Sequence, residues 1–352
     1  GPRGYHGMSN LKEYRLVAAT VAEALRRGES FLRDRGTERP RTSSELLLAS
    51  AVGLSRSRLF LDLRRSLAAG EAGSYDALLS RRAEGEPLAY LIGSVGFHDL
   101  ELAVGPGVFI PRPETEVVVE TARRWFPEPS TPRILDLGCG SGAIALALAR
   151  ALPAASIFAS DLSPEARGFA RRPASALSLG ERVEFREGDL FAPWGEEFRG
   201  SFDGVASNPP YIRQGEIADL APEVSRYEPR LALSGGGDGL AVIRRIVSGA
   251  PGYLRPGGRL IFEIGADQGE VASALCQAQP EFEEVSVLKD LAGHDRVVTA
   301  KRLDRRRRLR VVGGAFMPRC RTGPDRNTGR AQPLGKEDGS IVSGSTFQGC
   351  RG

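Results

Sequence analysis

At 352 residues the chain can bury a large core and hold two domains, and with 41% hydrophobic and 26% charged residues it has the composition of a globular protein rather than a disordered or fibrous one. No apolar run approaches the ~20 residues of a membrane span, and no signal-peptide core is present, so a cytoplasmic protein is expected. The net charge of +4 is unevenly placed: residues 301–352 carry 13 Lys/Arg against 4 Asp/Glu, leaving 35 against 40 for residues 1–300, so the basicity that would suggest nucleic acid lies in the tail.

Residues 1–8, ending at Met8, read as a leader or expression remnant. Over residues 9–85 apolar residues fall at helical spacing (Leu16, Val17, Ala24, Leu25; Leu46, Leu47, Leu48; Tyr75, Leu78, Leu79), with breaks at Arg39-Pro40 and Gly53. That pattern predicts a small helical domain. Residues 86–116 change character. Short β-type runs are broken by Gly93, Gly96 and Gly105-Pro106-Gly107, which predicts a hairpin linker.

Residues 117–302 alternate strand and helix. Candidate strands are Arg133–Leu137, Ser156–Ser160, Arg182–Arg186, Phe202–Ser207, Arg259–Ile264, Phe282–Leu288 and Arg296–Ala300. Such alternation predicts an α/β fold with a mainly parallel, doubly wound sheet, whose ligands sit beyond the carboxyl ends of the strands. Residues 303–352 are basic and lack sustained periodicity, so a disordered tail is expected there.

The first constellation with chemistry is "RILDLGCGSGAIALALA", Arg133 to Ala149. A strand ends at Asp136-Leu137, Gly138, Gly140 and Gly142 enclose Cys139 and Ser141, and an Ala/Leu helix follows. The glycines let backbone approach a ligand closely, but such a turn alone also suits NAD or FAD. Two acids tilt the reading. Asp136, directly before the glycines, opposes a pyrophosphate and suits a cationic amino-acid moiety. Asp161, at the end of the next strand, is placed to accept bonds from ribose hydroxyls. S-adenosylmethionine, with an ammonium, a sulfonium, a ribose and no phosphate, fits both. Asp189-Leu190, after the third strand, is expected to hold the adenine, the carboxylate taking its amine and the leucine covering a face. The four cysteines (Cys139, Cys276, Cys320, Cys350) form no CxxC pair and there are only three histidines, so no metal site and no disulfide is expected.

The fourth strand ends at Ser207-Asn208-Pro209-Pro210-Tyr211. Two successive prolines fix φ and remove two N–H donors, making an elbow stiffer than a strand end needs. Such an elbow suits a methyl acceptor that is a planar nitrogen, an amide or an exocyclic amine. The Asn208 side-chain oxygen and the Pro209 carbonyl are the acceptors for its two N–H donors, and the Tyr211 ring packs on its flat group. Catalysis then consists of positioning and electrostatics.

An Asn-Pro-Pro-Tyr elbow after a DLGCGSG turn resembles the amino-methyltransferases, which include N6-adenine DNA, guanine-N2 rRNA and protein-glutamine enzymes. "YLIGSVGFHDLELAVGPGVFIPRPETEVVVE" (Tyr90–Glu120), "SNPPYI" (Ser207–Ile212), "YEPRLALSGGGDGL" (Tyr227–Leu240) and "GGRLIFEIGADQGEV" (Gly257–Val271) together look like the peptide chain release factor glutamine methyltransferase family. The resemblance runs from about Tyr14 to Ala300, and the run from Pro111 to Glu116 is its most specific piece. It implies a helical substrate-recognition domain, a hairpin linker and a Rossmann-like class I methyltransferase domain with a seven-stranded sheet. It also implies transfer of the S-adenosylmethionine methyl group to the N5 amide of the glutamine in the Gly-Gly-Gln motif of class 1 release factors, tuning translation termination, with S-adenosylhomocysteine as product. Carried over by position, cofactor contacts fall on Gly138, Cys139, Gly140, Ser141, Gly142, Asp161, Asp189, Leu190 and Asn208. Catalytic and substrate contacts fall on Asn208, Pro209, Pro210 and Tyr211, with Glu114 and Thr115 helping to close the pocket.

One departure stands out. Pro173 occupies a place where the family usually has Asn, and a kink or restart of that helix is expected. An adenine-specific DNA enzyme or a guanine-N2 rRNA enzyme would share the elbow and the cofactor loop. A DNA enzyme would usually carry a basic target-recognition region as well, and the net negative charge of residues 1–300 argues against it.

Overall fold

The computed structural model describes residues 19–127 and 130–304. The leader 1–8, the pair Leu16 and Val17, and the tail from 305 onward lie outside the described residues. Five helices come first: α1 (Val21–Arg33), α2 (Pro40–Ala51), α3 (Arg56–Leu59), α4 (Ala69–Ala83) and α5 (Leu88–Ile92). A reciprocal cap starts α1, in which Thr20 Oγ1 accepts from Glu23 N while the Glu23 carboxylate accepts from Thr20 N. The helices bury a core of their own, including Ala24, Leu32, Leu47, Leu48 and Tyr75. The Tyr75 hydroxyl is satisfied there by Ser44 Oγ at 2.6 Å.

The linker differs in one respect from expectation, because it opens with the short helix α5 before the hairpin. Gly93, at φ +84°, ends that helix in a conformation suited to glycine. Strands β1 (Ser94–Phe97) and β2 (Leu100–Ala103) then pair antiparallel about a turn at His98 and Asp99. A 3₁₀ turn (Pro113–Thr115) leads into α6 (Glu116–Trp125).

From there strand and helix alternate: β3 (Arg133–Leu137), α7 (Ala143–Ala151), β4 (Ser156–Asp161), α8 (Pro164–Ala176), β5 (Val183–Glu187) and β6 (Phe202–Ser207). Helices α9 (Pro222–Tyr227), α10 (Arg230–Leu233) and α11 (Ala241–Tyr253) follow, then β7 (Leu254–Glu263), α12 (Gly269–Gln277), β8 (Phe282–Lys289) and β9 (Asp295–Arg302). The seven strands from β3 onward form one sheet in the order β5-β4-β3-β6-β7-β9-β8. The first five run parallel, while β9 and β8 close the edge antiparallel.

Side chains alternate across this sheet with period two, as strand geometry requires. Ile134, Ile261 and Val297 face one core with Ala145 and Leu148 of α7. Leu135, Leu260, Phe262 and Val298 face the other with Ile243 and Ile246 of α11. Helices thus cover both faces, and the strand ends are left as the place for a site.

Helix α8 corrects the expectation of a restart at Pro173, since it runs unbroken from Pro164 to Ala176 with Pro173 inside it. Pro173 falls in the final turn, so little helix follows it, and Leu177 N still bonds to its carbonyl at 2.9 Å. The ring is buried with Ala170 and Ala174, which offsets the lost backbone bond.

The chain leaving β6 is held from behind. Ile212 N bonds to Leu233 O, Gly235 N to Ile212 O and Gln214 N to Gly236 O. Gly239, at φ +78°, packs against the same stretch: a Cβ there would lie 2.5 Å from the Tyr211 carbonyl oxygen and 2.6 Å from Gln268 Nε2. Positive φ costs ~1–2 kcal/mol for an L side chain and overpacking adds ~1–3 kcal/mol, so Gly239→Ala is expected to lower the unfolding free energy by about 2–5 kcal/mol. Urea unfolding measures this, and an unshifted midpoint would show that the loop yields without cost.

Candidate active site

A cavity of about 690 Å³ opens at the carboxyl ends of β3, β4, β5 and β6. Its floor is the turn between β3 and α7. Gly138, Gly140 and Gly142 all have positive φ, at +67°, +54° and +84°, which bends the chain tightly around the cavity. Gly138 N and Cys139 N both bond to Ser160 O, at 2.8 and 3.0 Å, locking the turn to β4.

Two carboxylates flank this turn. Asp161 accepts from Gly140 N and Ser163 N, each at 2.8 Å. Burial raises its pKa against the pull of those backbone donors. Asp136 is fully buried; one oxygen accepts from Ala145 N at 3.1 Å and the other has no partner among the described residues. Burial, with a smaller contribution from the Asp161 charge, pushes Asp136 up to about 7. Ser141 Oγ is likewise buried without a partner among the described residues. Orphaned polar atoms in a cavity wall are costly and point to a polar ligand. Burial also raises the Cys139 thiol well above its ordinary value, so that side chain is a lining group and not a nucleophile.

Asn208, Pro209, Pro210 and Tyr211 line the same cavity beside the glycine turn. Asn208 Nδ2 donates to Thr115 Oγ1 at 2.9 Å, and Thr115 Oγ1 donates to Glu263 Oε2 at 2.6 Å. The Tyr211 hydroxyl donates to Glu263 Oε1 at 3.1 Å, and the Tyr211 carbonyl accepts from Gln268 Nε2 at 2.9 Å. Glu263 is only 1% exposed. Burial raises its pKa, while the Thr115 and Tyr211 hydroxyls and the Arg296 charge favour the ionised form. The Tyr211 phenol is also pushed up, by burial and then by the Glu263 charge, and so stays protonated.

Arg112 also lines the cavity. It pairs with Glu228, whose other oxygen accepts from Ile110 N at 3.2 Å. The Phe109 ring lies 4.8 Å from the Arg112 guanidinium. Phe109, Leu220, Val224 and Leu231 form an apolar wall.

Of the cofactor positions expected from sequence, all but Gly142 line this one cavity, as do Thr115 and the four elbow residues. Glu114 does not; its side chain is exposed at the surface of the 3₁₀ turn. Asp189 lines the cavity, but Arg245 Nη2 of α11 occupies its Oδ2 at 2.7 Å, leaving Oδ1 to meet a ligand amine. Leu190 sits beside it at φ +51°, with its carbonyl held by Ser160 Oγ. Sequence reasoning missed Arg245, Glu263 and Gln268. Glu263 had a usable signal: it ends a parallel strand, where ligand-binding groups in such sheets collect.

Residues 23–93 match the PrmC N-terminal domain, and residues 113–226 match the methyltransferase small domain. The release factor glutamine methyltransferase of Moorella thermoacetica is 44% identical over 80% of this chain and 99% of its own length. Those of Geobacter sulfurreducens and Caulobacter vibrioides are each 41% identical, covering 79% and 80% of this chain and 95% and 96% of theirs. A solved protein-(glutamine-N5) methyltransferase (release factor-specific) from Alicyclobacillus acidocaldarius is 30% identical over 57% of this chain and 99% of its own, with a TM-score of 0.34. Identity of this order over nearly the whole length of several relatives decides the matter: the chain belongs to the release factor glutamine methyltransferase family.

Proposed function

We propose that the protein binds S-adenosylmethionine at the β3–α7 turn and methylates the N5 amide of the Gly-Gly-Gln glutamine in class 1 release factors, in the cytoplasm. The observation that carries this reading is the fixed amide of Asn208, bound through Nδ2 to Thr115 in the wall that the glycine turn also lines.

The residues present fit the cofactor. Asp136, with an unpartnered oxygen, and Ser141 Oγ suit its amino-acid moiety. Asp161 suits the ribose hydroxyls, while Asp189 Oδ1 and Leu190 suit the adenine. When bound, S-adenosylmethionine supplies an electrophilic methyl group and leaves as S-adenosylhomocysteine. The protein's own part is to aim the acceptor. Asn208 Oδ1 and the Pro209 carbonyl accept the two N–H bonds of the glutamine amide, so its weak lone pair points along the line of transfer. The prolines keep those acceptors from relaxing, and the Tyr211 ring supports the flat group. The amide nitrogen releases its proton once it has gained the methyl group, so no strong general base is required. The helical domain and hairpin grip the release factor away from the reacting glutamine, which lets remote binding energy orient the amide.

Three outcomes follow from this reading. Labelled methyl groups are expected on purified release factor and not on its Gln→Ala variant, duplex DNA or ribosomal RNA; label on a nucleic acid would reassign the substrate. Asn208→Ala is expected to cut kcat by about 10²–10³-fold, as loss of a preorganised polar contact does, with a modest change in cofactor affinity. An active Asn208→Ala enzyme would sink the clamp. Finally, because Asp136 titrates near 7 and a bound cation favours its charged form, cofactor affinity should hold above that pH and weaken below it. The expected slope is at most about tenfold per pH unit. Calorimetric titration across pH 5–9 checks this, and Asp136→Asn should flatten the limb near 7.

A further inference from the structure

Asn208 has two chemically opposite faces, and a glutamine amide can be held by only one of them. Its orientation follows from counting protons. Glu263, when ionised, only accepts, and both its oxygens are engaged, by Thr115 Oγ1 at 2.6 Å and the Tyr211 hydroxyl at 3.1 Å. A threonine hydroxyl has one proton, and Thr115 spends it on Glu263. Only lone pairs remain towards Asn208, so the Asn208 atom 2.9 Å away has to be the NH₂ group. The Asn208 oxygen is thereby turned away from Thr115, and among the described residues it accepts no hydrogen bond.

The charged neighbours support this polarity. Burial raises the Glu263 pKa; against it the Thr115 and Tyr211 hydroxyls and Arg296 on β9 favour the carboxylate, and Glu114 opposes it more weakly than Arg296. Without an acceptor at position 263 the Thr115 proton is free to swing towards Asn208. A flipped Asn208, oxygen towards Thr115 and NH₂ towards the cavity, is then equally well bonded. That flipped side chain repels an amide NH₂ and suits a carboxylate.

We propose that Glu263, which lines no part of the cavity, acts through Thr115 to set the face that Asn208 presents, so that the two are positioning residues selecting an amide acceptor over a carboxylate. This rests on the reading of the cavity as a glutamine site. Glu263 touches neither substrate nor cofactor; its effect reaches the reacting amide only through the direction of two hydrogen bonds.

The test compares binding of a Gly-Gly-Gln peptide and a Gly-Gly-Glu peptide to the full-length enzyme saturated with S-adenosylhomocysteine. The wild type should prefer the glutamine peptide by tenfold or more, about the cost of an unpaired polar contact. Thr115→Val keeps the side-chain shape and removes the hydroxyl, and should narrow the ratio by about tenfold. Thr115→Ser keeps the hydroxyl and should retain the ratio, while Glu263→Met, which removes the acceptor, should narrow it. A wild-type ratio in Thr115→Val, or equal losses in the Val and Ser variants, would overturn the proposal. A wild type that binds neither peptide contradicts the glutamine reading instead. In that case hydrogen exchange of the ¹⁵N-labelled Asn208 side-chain amide still decides the relay. Exchange slow in wild type and Thr115→Ser but fast in Thr115→Val supports it, and uniform exchange overturns it.

Discussion

In-register parallel pairing of β4, β3, β6 and β7 is the constraint on which the site depends. Leu137 pairs with Ser160 on one side and Ser207 on the other, and Ser207 pairs in turn with Phe262. The residues at the ends of these strands (Asp136, Asp161, Asn208 and Glu263) are therefore brought to one edge of the sheet although they span more than a hundred positions in sequence. A one-residue slip of β6 would turn every side chain on it to the opposite face and take Asn208 out of reach of Thr115. The apolar cores on both faces hold the register, because each strand buries alternate residues in a different core.

A second constraint ties the helical unit to the cavity wall. Helix α9 contributes Val224 to that wall and is pinned from outside by three contacts. Arg82 of α4 pairs with Glu223, the Tyr227 hydroxyl reaches Glu84 O at 3.4 Å, and Glu228 holds both Arg112 and Ile110 N. Arg82 and Glu228 are buried while their partners Glu223 and Arg112 are partly exposed, so each ion pair is only partly screened by solvent; the Tyr227 contact is exposed. Removing Glu223 or Arg112 would leave the buried Arg82 or Glu228 charge uncompensated, which costs more than the pair itself contributes. The helical unit, the linker and the wall of the cavity are mechanically one body through this short helix.

Much of this was legible from the chain. Seven strands were readable because buried strands carry dense β-branched and aromatic runs between glycine-rich and polar breaks. The glycine turn was readable because three closely spaced glycines at a strand end serve a backbone need. The elbow was readable because two prolines are costly wherever they are not required. What was not legible depends on packing between distant segments. Nothing local in "FEIGADQ" shows that Glu263 meets Thr115, 148 positions earlier in the chain. Arg245 is one arginine among many until α11 places it on Asp189. Glu114 and Thr115 are neighbours in sequence, and only the 3₁₀ turn decides that the threonine faces inward and the glutamate outward. Pro173 misled for a related reason, since a helix-breaking residue near the end of a helix interrupts little.

The central claim is that a rigid Asn-Pro-Pro-Tyr elbow holds a planar amide by two fixed acceptors. The most direct measurement is a crystal structure of the enzyme with S-adenosylhomocysteine and a Gly-Gly-Gln peptide. The account predicts the glutamine side-chain nitrogen at ordinary hydrogen-bond distance, about 2.9 Å, from both Asn208 Oδ1 and the Pro209 carbonyl, with Asn208 Nδ2 still on Thr115. A glutamine amide bound elsewhere in the cavity, or held by Asn208 through its NH₂ group, would contradict it.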